Sequence, residues 1–231
     1  MNIPIDKNLE PRPIKRFKEL YLYCDENNAH AFFERLNKFL ANESQSGRWA
    51  RDTVSMARLE DSVCFKKGLF SGILLCDDQG QPFASVTLTY DEDKSRIWLC
   101  NIVPCQTNEF SYDEYNGILD RFLGEVVEKN KQNLECKTVS GMFTGADVMS
   151  SDTWKLLLSF SYEANRSALH PLDVKAWHRF VISAFREDSK LDATTLGRIL
   201  CEELGWSERE SSRLAIRYED EMGLLEEYDH G

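Results

Sequence analysis

The chain has 231 residues, 42% of them hydrophobic and 11% aromatic, which is enough for a real core and excludes global disorder. Its formal charge is −11, with a pI of about 4.9. Such a surface repels phosphate backbones at long range, so nucleic acid is an unfavourable partner, and a basic protein partner or plain solubility fits better.

In chain order, residues 1–13 hold three of the six prolines and read as an extended arm. Phe17–Tyr23 has strand character. After Asp25 a helix is expected, with Ala29, Phe32, Phe33, Leu36, Phe39 and Leu40 on one face. Trp49–Leu59 reads as a second helix, anchored by Trp49, Met56 and Leu59. Leu69–Cys76, Phe83–Tyr90 and Arg96–Val103 form an expected antiparallel meander, separated by the turn signals Asp77–Gly80 and Asp91–Ser95. Ser111-Tyr-Asp-Glu114 is a capping box opening a long helix. The stripe behind it is Tyr115, Ile118, Leu119, Phe122, Leu123, Val126 and Val127. Cys136–Val139 is a short strand, Gly141–Ser150 a loop, and Ser151 starts a helix carrying Trp154, Leu157, Leu158 and Phe160.

From His170 no further strand is evident. Pro171 and Asp173 open one helix and Asp192 another, which Gly205 stops. Ser207-Glu-Arg-Glu210 is a second capping box, opening a helix over Glu208–Glu227. From Glu187 onward 13 acidic and five basic side chains give a net −8. The expected division is an arm over residues 1–16, an α+β domain over 17–168 and an acidic, all-helical domain over 169–231.

Seven scattered cysteines, odd in number and without C-x-x-C spacing, suit a reducing compartment. Cys100 and Cys105 bracket the loop after the central strand; core packing and a loop thiol are their expected states. The N-terminal residues show no long apolar segment and no run reaches a membrane span, so a soluble, cytoplasmic protein is expected. Only four histidines occur, in no metal-binding spacing, and His170, Asp173 and His178 around one helix start suit capping or solvent; no metal site is expected. Nucleophile-elbow, P-loop and dinucleotide-binding motifs are absent.

The order strand, two helices, three-strand meander, long helix, strand, helix over residues 17–162 resembles the GNAT-type N-acetyltransferase superfamily. The resemblance implies a GNAT-like antiparallel sheet flanked by helices. It also implies acetyl-coenzyme A at the loop after the central strand, its pyrophosphate resting on the N-terminus of the following helix. The corresponding loop here, Pro104-Cys-Gln-Thr-Asn-Glu-Phe-Ser111, contains neither the family's glycines nor a basic residue. Under that reading Thr107, Asn108, Phe110 and Ser111 would bind cofactor and Tyr162 would be the acid.

The last helix offers another kind of site. Arg209, Arg213 and Arg217 recur at i, i+4 and i+8, suiting a salt-bridged surface or, as a helix-turn-helix, a phosphate track on DNA. Trp206, Tyr218 and Leu224, with Leu214 and Tyr228, are large apolar groups suited either to a protein interface or to a small core. With no assembled catalytic motif, the leading expectation is a regulatory or accessory protein that binds another protein, in an antitoxin, immunity or defence setting. The alternatives are a divergent N-acyltransferase and, behind it, a DNA-binding protein.

Overall fold

A computed structural model describes residues 12–60, 68–106, 109–166, 170–187 and 191–230. Most of the expected N-terminal arm, residues 1–11, lies outside them. The chain forms an α+β structure of two units: one continuous, Arg16–Gly141, and one assembled from the segments on either side, up to Lys15 and from Met142 onward. The first strand, β1 (Ile14–Lys15), belongs to the second, helical unit.

The sheet unit runs through β2 (Glu19–Tyr23), α1 (Glu26–Leu40), α2 (Glu43–Ser46), β3 (Trp49–Arg51), α3 (Thr53–Glu60), β4 (Phe70–Cys76), β5 (Pro82–Asp91), β6 (Arg96–Pro104), α4 (Tyr112–Phe122), α5 (Glu128–Asn130) and β7 (Glu135–Val139). Its six strands are all antiparallel, in the order β3-β4-β5-β6-β2-β7. The meander forms as its alternation requires, with Ile73 opposite Val86 and Leu88 opposite Leu99. The first strand of this unit pairs with β6 on one side and β7 on the other, so β2 lies between the two strands that flank the long helix in sequence.

Two local features differ from the sequence reading. Trp49 does not begin a helix. Trp49–Arg51 is an edge strand on β4, and the helix starts only after Asp52, whose carboxylate accepts the Ser55 N–H at 2.9 Å. An aspartate placed to cap is a stronger start signal than the apolar Trp49. The long helix is also not uniform: between α4 and α5 the segment Leu123–Val127 takes a π-turn. The capping box at its start forms as expected, with Ser111 Oγ accepting from Glu114 N at 3.3 Å and Glu114 Oε2 accepting from Ser111 N at 2.9 Å. Leu119, Phe122, Val126 and Val127 join Phe32, Leu36, Val86, Leu88 and Ile97 in this unit's core.

The helical unit pairs β1 with β8 (Met142–Phe143) and continues through α6 (Gly145–Val148), α7 (Ser151–Glu163), α8 (Pro171–Arg186), α9 (Ala193–Arg198), a π-turn at Ile199–Glu203, and α10 (Glu208–His230). The segment expected as a loop over Gly141–Ser150 thus carries a short strand and one helical turn, closed by a capping box between Thr144 and Asp147. His170 caps α8 and its own N–H goes to Asp173 at 2.8 Å, the expected capping use of both. Gly205, at φ 67°, ends the turn before α10.

The expected division between 168 and 169 falls within the span of this unit, at residues outside the described ones. Helix α7 is part of the helical core: the Phe160 ring lies 5.2 Å from Trp177 and 5.5 Å, stacked, from Trp206. Its apolar face, Trp154, Leu157 and Phe160, is matched by α8 and the segment before α10, so α7 folds with the helices C-terminal to it.

Candidate functional site

The described residues flanking the loop where a cofactor phosphate was expected bond to β5, and the helix start is capped. The Cys105 N–H donates to the Phe83 carbonyl at 3.0 Å, and Gln106 Nε2 donates to the Pro82 carbonyl at 3.0 Å. The Phe110 ring packs 5.6 Å from Phe83. At the helix N-terminus the Glu114 carboxylate takes both the Ser111 N–H and the Ser111 hydroxyl, at 2.9 and 2.7 Å. Those bonds hold the Glu114 carboxyl below its ordinary range. The carboxylate thereby adds negative charge at this helix N-terminus. Thr107 and Asn108 lie outside the described residues. Tyr162, the acid under the same reading, is half-buried on α7 in the helical unit.

The C-terminal candidates separate into two sets. Trp206 and Tyr218 are core residues, 4% and 2% exposed. The Trp206 Nε1–H donates to Ser161 Oγ at 2.7 Å, and the Arg166 guanidinium lies 4.9 Å from the indole while its Nη atoms donate to the carbonyls of Leu204 and Gly205. The Tyr218 ring stacks on Phe180, and burial pushes its phenol up to about 12. Neither side chain is presented for docking. Elsewhere on α10, by contrast, Ile216 is 60%, Leu224 66% and Tyr228 86% exposed, the last two in the turns beyond the buried part of the helix.

Of the three arginines, Arg213 pairs with Glu210 at 3.2 Å and Arg217 with Glu221 at 2.7 Å. Glu221 also accepts from Trp177 Nε1 at 2.7 Å and lies 3.3 Å from His178 Nε2. Two of the three guanidiniums of the proposed phosphate track are thus already engaged by carboxylates. Arg209 is exposed.

Two arrangements are visible only in three dimensions. The first is Glu203, 3% exposed at the end of the π-turn before α10. Its Oε2 accepts the Gly145 N–H at 2.8 Å, its Oε1 is buried without a hydrogen-bond partner, and burial pushes the carboxyl up to about 7, with Asp147 adding to the shift. The second is a groove of about 710 Å³ in the sheet unit, where the carboxyl ends of α1 and α5 meet. Arg35, Lys38 and Lys129 line it, with Phe39, Asn42 and Asn130.

Among the described residues no three or more His, Cys, Asp or Glu side chains gather as a metal site. The six described cysteines are free; Cys100 is half-buried, its thiol pushed up to about 12 by burial, and Cys105 is exposed. No helix among the described residues is long and apolar enough to cross a membrane. No protein-family model, curated protein or solved structure matches this chain.

Proposed function

We propose that this chain is a regulatory or accessory protein that works by binding another protein, with the exposed apolar residues of α10 as the contact surface. The observation that carries the reading is the pattern of exposure on one helix. Leu214 and Tyr218 hold the first part of the helix in the core, while Ile216, and Leu224 and Tyr228 in its last turns, leave large apolar area in water. Leu224 and Tyr228 adjoin at i and i+4, and adjoining exposed apolar groups mark interaction surfaces more often than singly scattered ones do. Asp220, Glu226, Glu227 and Asp229 surround the stripe, so a partner bringing basic residues around an apolar anchor complements it. The likeness to N-acetyltransferases is then one of layout, with the helix start used for capping.

The test is a photoreactive amino acid at position 224 of the full chain, irradiated in cells, against the same group at exposed Lys175 on α8. The expected result is a discrete adduct from position 224 that Tyr228→Glu abolishes. Equal, diffuse labelling from both positions would remove α10 from consideration.

A further inference from the structure

The groove between the ends of α1 and α5 concentrates positive charge in a chain whose balance is strongly negative. Among the described residues no carboxylate lies within ion-pair distance of Arg35, Lys38 or Lys129, whereas neighbouring Lys131 is tied to Glu128 at 2.8 Å. Arg35 is fixed in place: its Nε donates to the Asn130 carbonyl at 2.9 Å. Lys129 Nζ lies 5.4 Å from the centre of the Phe39 ring, which supplies an apolar wall.

Helix-dipole complementarity accounts for a cation at each helix end, since Lys38 and Lys129 both stand in a last turn. It does not require the two ends to meet in one groove with a third cation and an aromatic wall. The helix-end carbonyls of Asn37, Phe39 and Asn130 already accept from Ala41, Asn42 and Arg35, so what the groove offers a ligand is positive charge. At about 710 Å³ it is larger than a single phosphate group, and carboxylates spaced along an extended acidic peptide can reach all three cations.

We propose that this groove is a docking site for an extended acidic peptide segment of a partner protein. The site belongs to the sheet unit and is separate from the α10 surface, so the protein carries two contact sites of opposite electrostatic preference.

The experiment is fluorescence anisotropy of N-terminally labelled hexaglutamate titrated with the full chain at physiological ionic strength. Saturable binding is expected, weakening as salt rises. Lys38→Glu with Lys129→Glu, both exposed and so compatible with folding, should weaken it at least tenfold. Lys175→Glu with Arg179→Glu, the same change of net charge on exposed residues of α8, should leave it within twofold. Circular dichroism of each variant confirms the fold. Absence of saturable binding, or equal loss in both double variants, overturns the proposal. So does binding of inorganic pyrophosphate, followed by isothermal titration calorimetry, where hexaglutamate does not bind. Because hexaglutamate binding and crosslinking from position 224 are read separately, either reading can fail without the other.

Discussion

Glu203 and Gly145 are joined by a buried hydrogen bond, carboxylate to backbone N–H at 2.8 Å, across 58 residues of sequence. The bond ties the turn after β8 to the segment entering α10. It leaves the second carboxylate oxygen buried and unpartnered, so the charged form is disfavoured there. The folded-state value of about 7 stands above the ordinary glutamate value of 4.5. For an acid shifted this way the native state holds its proton more tightly than the unfolded chain. The contribution is complete below about pH 4.5 and is lost as pH rises through about 7. Glu203→Gln, which mimics the neutral form, should therefore raise the melting temperature at pH 8 by roughly 2–4 °C and change it little at pH 5. An equal effect at both values would show that the carboxyl does not titrate across this range.

Gly145 itself admits no side chain. A Cβ there would stand 2.2 Å from the Trp154 ring, with two further ring atoms inside 2.8 Å. Gly145→Ala should cost about 1–3 kcal/mol or more by forcing the indole aside, read from urea unfolding. A midpoint within error of wild type would mean that Trp154 has room to move.

The buried and the exposed apolar residues of α10 should respond differently to substitution. Leu214→Ala, inside the core, should cost about 2–5 kcal/mol. Leu224→Glu with Tyr228→Glu, on the outside, should change stability by no more than about 0.5 kcal/mol per site. Chemical denaturation separates these, and a large loss from the outer pair would place those residues in a structural contact.

Acetyl-coenzyme A and free coenzyme A at millimolar concentration should leave the melting temperature unchanged, because the Glu114 carboxylate, bonded to Ser111, adds negative charge at the helix N-terminus. A shift of several degrees, in proportion to RT ln(1 + [L]/Kd), would reopen the transferase reading.

Removing the Trp206 indole tests the other half of the C-terminal assignment. Trp206→Phe keeps most of the ring area but leaves Ser161 Oγ without its donor, and should cost about 1–3 kcal/mol. A neutral substitution would argue that this tryptophan belongs at a surface.

The sequence was most informative where a local chemical rule and a long apolar period agreed. The Ser111–Glu114 box followed by the stripe from Tyr115 to Val127 specified the central helix, and alternation from Ala84 to Tyr90 specified its strand. It was least informative where the outcome depended on a distant neighbour. Trp49 pairs in a strand because Leu75 stands opposite it, and nothing around Trp49 encodes that. Trp206 and Tyr218 read equally well as anchors or as core until Phe160 and Phe180 occupy their faces. Burial of Glu203 and the meeting of Lys38 with Lys129 join residues 58 or more positions from their partners, beyond the reach of any local pattern.

The pairing of Ile14–Lys15 with Met142–Phe143 has a consequence for how the protein is made. The sheet unit is an uninterrupted stretch, so it can close as soon as Gly141 has left the ribosome. The helical unit takes its first strand from the segment before the sheet unit and its helices from the segment after it. Ile14 must wait, already translated, for a core that residues as late as Leu214 and Tyr218 complete. A chain interrupted before α8 would leave Trp154, Leu157 and Phe160 without their partners, a hydrophobic face for chaperones or proteases to find.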